Sequence, residues 1–364
     1  MSATEPLGGR LWLAAGRPRP NNLRSTRPDW VARLTHGLPA QRLGVTLASL
    51  FSLCGHVHRL CAGLAVEAAL GHEAAATPAQ HTLLEQQTLR EHLSRIALDW
   101  PQQLGGGAHD AAGLDAAARW LVSCPAFAAV PSDAAAWLES HAIGMPPDRW
   151  LDAWEHDPAA LMSAWTHDGD VLPARLLREA ASGRQAVVPL HVHAEAATMQ
   201  AWAKDLRNGG SAFARQPMWR GACAETGAWT RLTEIDPMRF DTPALKMGAR
   251  VAEVVRLGLH DTDRLAVGAL PLASGEAIAW VEMARGLLVH HVQLDGCDDN
   301  ARVEACHVVA PTEWNFHLRG AVATVLESIT SDAPGRVLDT WMAAYDPCVP
   351  YQQESTVPQE LAHA

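Results

Sequence analysis

The chain has 364 residues, 48% of them hydrophobic and 19% charged, which excludes a disordered or fibrous protein and leaves enough length to bury a sizeable core. Twenty-nine Lys and Arg against 40 Asp and Glu give a formal charge of -11 with no basic run, so sequence-independent binding to nucleic acid is not expected. The start lacks the basic flank and apolar core of a secretory signal, the most apolar window falls well short of the roughly 20 residues a membrane span needs, and seven scattered cysteines suit free thiols or metal ligands better than disulfides. A cytoplasmic chain without membrane insertion is expected.

In chain order, Leu11 to Leu13 reads as a short strand before the PRPNN break, within an irregular N-terminal segment over residues 1–45. Residues 46–71 read as one long helix, because Leu47, Phe51, Cys54, His58, Cys61 and Ala65 alternate by fours and threes along one face, and Gly71 ends it. A second helix spans residues 78–99 and ends at Trp100-Pro101, with Gly105 to Gly107 as a flexible connector. Residues 110–182 are alanine-rich and carry Trp120, Trp137, Trp150, Trp154 and Trp165, a pattern of short helices packed through indoles. The segment AVVPLHVHA reads as a strand and residues 241–257 as a helix. From Ala277 to Val309, β-branched residues and alternation predict strands, with DGCDDNA as a turn between two of them.

Several positions carry metal-type chemistry. Cys54, His58 and Cys61 share a helix face, as ligands would, although a buried core face produces the same pattern. In Asp346-Pro347-Cys348, proline would end a preceding helix and present Cys348 from a turn. His191 and His193 would share one face of a strand, where half-exposed structural histidines serve as well as ligands. His290 and His291 would point to opposite faces and cannot act as a pair. There is no Gly-rich phosphate loop, G-x-S-x-G or H-E-x-x-H.

Taken together, several segments resemble the large subunit of NiFe hydrogenases in order and spacing. CGHVHRLCAGLAVEAALG followed by IALDW resembles the first cysteine motif of that family and the helix behind it, with Cys54 on the second cysteine and His58 on the histidine four residues later. WRGACAETGAWTRL is similar to the internal E-T-G-x-x-x-R segment, through Glu225 and Arg231. VEMARGLLVH resembles A-P-R-G-x-L-x-H, with Arg285 on the arginine and Ala284 replacing proline, while APTEWN resembles P-[ST]-T-W-N and YDPC the start of the last cysteine motif. The implied fold is one α+β, mainly α, domain over residues 1–364: a large-subunit-like helical core with a small antiparallel sheet.

The departures from that pattern decide the implied function. Of four metal-binding cysteines in the hydrogenases, only Cys54 and Cys348 remain, with Phe51 and Tyr351 in the other two positions. Nickel in such a setting needs several soft thiolates, so a NiFe centre and hydrogenase turnover are not expected. The resemblance assigns Arg285 and Thr312 to hydrogen bonds with cyanide on iron, and His58 to a hydrogen bond with the bridging thiolate. Glu354 stands where the family has a histidine, which removes the usual carboxy-terminal processing site. This mixture resembles hydrogenase accessory proteins of the HupK and HoxV type. It implies a non-catalytic maturation scaffold, or chaperone, that holds an Fe(CN)2(CO) unit transiently between HypC/HypD-type maturation proteins and the hydrogenase large subunit. The rival readings are a catalytic large subunit and a metal-free structural subunit of a related respiratory complex.

Overall fold

The computed structural model describes residues 8–105, 111–127, 133–231, 235–261, 264–330 and 334–354. Two short strands, β1 (Leu11–Leu13) and β2 (Leu23–Ser25), precede the helices α1 (Trp30–Thr35), α2 (Leu43–Leu50), α3 (Gly55–Ala69), α4 (Pro78–Ser94) and α5 (Trp100–Leu104). A helical stretch follows: α6 (Ala111–Ser123), α7 (Ala134–Trp137), α8 (Pro147–His156), α9 (Pro158–Asp168), α10 (Leu172–Arg178), α11 (Ala196–Arg215, kinked at Gly210) and α12 (Pro243–Gly258). Then come the strands β3 (Val267–Ala273), β4 (Glu276–Met283), β5 (Gly286–Leu294) and β6 (Val303–Val309), the helices α13 (Pro311–Asn315), α14 (Ala321–Ser328) and α15 (Pro334–Tyr345), and a final strand β7 (Tyr351–Gln353). The fold is α+β and mainly α, as the sequence predicts.

β3 to β6 form a consecutive antiparallel sheet buried on both faces. One face packs on α3, where Cys61, Ala62 and Ala65 meet Ala277, Ala279 and Leu288. The other takes α11 and α13, through Trp202, Leu206 and Trp314 against Ile278, Leu287 and Val289. A third, tryptophan-rich core surrounds α12. Trp150 stacks on Trp154 with centroids 5.5 Å apart, and Trp165 meets Trp150 edge-on. Indole packing is therefore what residues 110–182 were expected to provide.

α12 is buried on all sides although it carries Lys246, Arg250, Glu253 and Arg256. Burial of a charge is tolerated only when it is paired. Each has a partner from another element: Lys246 with Glu225, Arg250 with Asp346, Glu253 with Arg231 and His92, and Arg256 with Glu155. These pairs tie the chain segments around the site to one rigid helix.

Several expectations need correction. Residues 46–71 do not form one helix: α2 and α3 are bent by 106° around Phe51 and a short 3-10 turn over Ser52–Cys54. Gly55 permits the bend, since a Cβ there would lie 2.6 Å from the Ala48 carbonyl oxygen. The apolar spacing runs through the break because both helices face the same core. The second helix does not stop at Trp100-Pro101. A π-turn over Arg95–Asp99 absorbs an extra residue and lets Pro101 enter the first turn of α5, where its missing N–H costs nothing. The segment AVVPLHVHA makes only a bridge between Pro189 and Glu225, because proline cannot donate to a ladder. Residues 106 and 107 of the expected connector lie outside the described residues.

Candidate functional site

Cys54 closes the 3-10 turn and stands at the N-terminal end of α3, so the bend at Phe51 is what brings this buried thiol to the wall of a cleft. Cys348 arrives from the other end of the chain. α15 ends at Tyr345, Asp346 takes a left-handed conformation (φ +49°), and the turn through Pro347 brings Cys348 to the same cleft. Thr312, in the first turn of α13, holds its hydroxyl oxygen 3.0 Å from the Cys348 sulfur.

Arg285 sits at the tip of the two-residue hairpin between β4 and β5, and that tip is buried. Gly286 makes this fit. Its φ is +127°, and a Cβ would lie 2.5 Å from Thr226 Oγ1 and 2.9 Å from the Gly227 nitrogen. Thr226 Oγ1 accepts from the Leu287 N–H at 2.9 Å, and Asn315 exchanges two 2.9 Å hydrogen bonds with the Thr226 backbone. The E-T-G, A-R-G and P-T-E-W-N segments therefore clasp one another, with Glu225 anchored to Lys246, Trp229 and Tyr345.

Only 2% of Arg285 is exposed, and it lies against two carboxylates. Nη1 faces Glu91 of α4, and Nε is 3.3 Å from Asp346 Oδ2. Asp346 also meets Arg250 at 3.1 Å and Arg95 at 3.2 Å. Burial works to raise the Asp346 pKa, but the three guanidiniums outweigh it and hold the carboxyl down to about 2. For Arg285, burial opposes the charge while Asp346 and Glu91 hold its pKa above the usual value. Its Nη2 is buried with no hydrogen-bond partner among the described residues. An unspent charged donor at a cavity wall suits a small anionic acceptor.

The cleft encloses about 990 Å³ and is lined by Cys54, Cys348, Arg285, Thr312, His58 and Phe51 among others. The five residues that the resemblance assigns to the iron unit, Cys54, His58, Arg285, Thr312 and Cys348, thus line one cavity. Burial pushes the Cys54 thiol up to about 12, with Arg285 partly offsetting it. Among the described residues no group of three His, Cys, Asp or Glu side chains is placed to hold a metal ion; Cys54 and Cys348 line the cavity, and Cys306 of β6 lines it as well but is packed in the core between the sheet and α3.

No family model matches the chain. Among curated proteins it is 39% identical over 375 aligned positions to the hydrogenase expression/formation protein HoxV of Cupriavidus necator, covering 97% of both chains. The chain belongs to the HoxV and HupK family of hydrogenase expression/formation proteins. HupK of Bradyrhizobium diazoefficiens is 32% identical, over 93% of this chain and 92% of that relative. In fold, this HoxV- and HupK-type chain is similar to a NiFeSe hydrogenase from Desulfovibrio vulgaris Hildenborough, with a TM-score of 0.54, 12% identity, and coverage of 90% of this chain and 92% of that one.

Within this HoxV- and HupK-type site the two replaced cysteine positions differ. Phe51 lines the cavity and stacks on His58. Tyr351 is a β7 residue opposite Leu11, and its hydroxyl donates to Asp339 at 2.9 Å. His58 is turned to the core: its Nδ1 lies 3.0 Å from His290 Nε2, and no hydrogen bond to Cys54 is present among the described residues. Burial, with His290 close by, puts its pKa well below the usual value, so it is neutral. Cys61 points into the sheet, 3.4 Å from the Ala279 carbonyl. His191 and His193 bond to Thr230 and approach Glu282, away from the cavity. Sequence reasoning missed Glu91, Arg27 and Glu313, which take their meaning from partners hundreds of residues away.

Proposed function

We propose that this chain acts in hydrogenase maturation as a scaffold that holds an Fe(CN)2(CO) unit on the thiolates of Cys54 and Cys348 before that unit passes to a hydrogenase large subunit. One observation carries the reading. Cys54, Cys348 and a buried guanidinium with an unspent donor line one cavity of a large-subunit fold, while Phe51 and Tyr351 take the sequence positions of the other two cysteines in the resembling motifs.

Each group has a task on this reading. Cys54 must release its proton to bind iron, so loading is coupled to proton release. Arg285 donates to a cyanide, and Thr312 hydrogen-bonds beside Cys348. Two thiolates hold the unit less firmly than four would, which favours its release to a site with the full set. The chain turns over no substrate of its own. It works in the cytoplasm between HypC/HypD-type donors and the large subunit, and it holds iron rather than nickel.

Infrared spectroscopy of protein co-produced with the hydrogenase maturation proteins and purified without oxygen tests this. CO and CN bands accompanied by iron, with little nickel, are expected. A spectrum without those bands overturns the reading.

A further inference from the structure

Arg27 and Glu313 stand beside Cys348 and have no part in the roles described so far. Glu313 occupies the α13 position where the resembling pattern P-[ST]-T-W-N has threonine. The two side chains form an ion pair, 20% and 11% exposed, and both line the cavity. Arg27 and Cys348 line the same cavity, and Thr312, the chain neighbour of Glu313, holds its hydroxyl 3.0 Å from the Cys348 sulfur, so the ion pair stands beside that thiol. A guanidinium presents five donors in a rigid fork, so one edge can rest on a carboxylate while another donor addresses the sulfur. Threonine at position 313 would offer that fork no negative charge.

We propose that Arg27, aligned by Glu313, is the positioning residue for Cys348: it donates a hydrogen bond to the Cys348 sulfur once that sulfur is an iron-bound thiolate, and so sets how long the iron unit is retained. This rests on the reading that Cys348 ligates the iron unit. Hydrogen bonds to a charged acceptor are among the strong ones, and an anionic sulfur gains more from the guanidinium than a thiol does. Arg27 and Arg285 then divide the labour, one at a thiolate and the other at a cyanide.

The test compares wild type, Arg27→Ala, Arg27→Lys and Glu313→Gln, each co-produced with the hydrogenase maturation proteins and purified without oxygen. A donor at the thiolate withdraws electron density from iron. Its loss in Arg27→Ala should move the CO band to lower frequency and speed iron release to a chelator roughly tenfold. Arg27→Lys keeps the charge without the fork and should fall between. Glu313→Gln should shift the band in the same direction by less.

Wild-type protein without CO and CN bands overturns both the proposed function and this inference. Wild-type bands together with an Arg27→Ala protein of unchanged CO frequency and release rate overturn the inference alone. Should Arg27→Ala not fold, Glu313→Gln decides: an unshifted band and unchanged release overturn it.

Discussion

Phe51 lies flat on His58, with ring centroids 4.0 Å apart and planes 13° from parallel. The ring fills the wall of the cavity beside Cys54 and holds the histidine against His290. A position that resembles a metal ligand in the hydrogenases is here a packing residue.

Restoring a thiol at that place should strengthen metal retention. Phe51→Cys adds a soft ligand beside Cys54 and is expected to slow iron release, at a stability cost of about 1 to 3 kcal/mol for the lost ring. Tyr351→Cys should have no such effect, because residue 351 belongs to β7 and does not line the cavity. Release rates to a chelator, measured alongside thermal unfolding, distinguish the two.

Cys54→Ala and Cys348→Ala should each lose the iron unit while keeping the fold. Both thiols are free, and replacing either by alanine removes one small group, about 1 kcal/mol of packing. Metal analysis and infrared spectra check the loss. Undiminished bands in either variant would show that the cysteine is structural only.

Arg285→Lys keeps a charge between Glu91 and Asp346 but loses the fork, so iron occupancy should fall and the remaining CN bands should shift. Arg285→Met should be far worse for stability, by about 3 kcal/mol, because it leaves Glu91 without its guanidinium and takes one of three from the buried Asp346. Denaturant midpoints separate these effects. A wild-type infrared spectrum from Arg285→Lys would remove the guanidinium from cyanide recognition.

Gly286→Ala should displace the hairpin tip. The new methyl group would strike Thr226 at a backbone angle alanine rarely adopts, costing more than about 1 kcal/mol and moving Arg285 off the cavity wall. A lowered unfolding midpoint with reduced iron occupancy is the expected pair of results.

The pH dependence of stability should carry the imprint of Glu253. Burial alone would raise its pKa, but Arg231 and His92 hold it down to about 2, against 4.5 for the free side chain. The native state therefore binds the proton less readily than the unfolded chain. This contribution, up to about 3 kcal/mol, is fully present above pH 4.5 and is lost as pH falls toward 2. Glu253→Gln should be less stable at neutral pH and should lack that acid-dependent step in a denaturation series.

Much of the site was legible because its chemistry is written in short contiguous motifs. Cys54, Arg285, Thr312 and Cys348 could each be placed from neighbours a few residues away, and all reach one cavity. The partners of Arg285 could not. Glu91 sits on α4 in a polar pattern that reads as an exposed helix face, and only the tertiary fold turns it toward a buried guanidinium. Local sequence pattern likewise found α12 and the strands β4 to β6, but helix periodicity passed over the break at Phe51, since a bent pair packing on one core keeps the same apolar spacing as a straight helix. At residues 186–194 β-type composition predicted a strand where Leu190 and Val188 make only two backbone bonds, both with Glu225.

The parallel pairing of β1 with β7 sets an order on biosynthesis. A ribosome adds Cys54 early and Cys348 late, and the strand that fastens the turn after Cys348 finds its place only against residues made at the outset, Leu11 to Leu13. The nascent polypeptide therefore exposes one thiol of the cleft long before the other exists. A product stopped before residue 351 would lack the strand that joins the two ends of the chain beside Cys348.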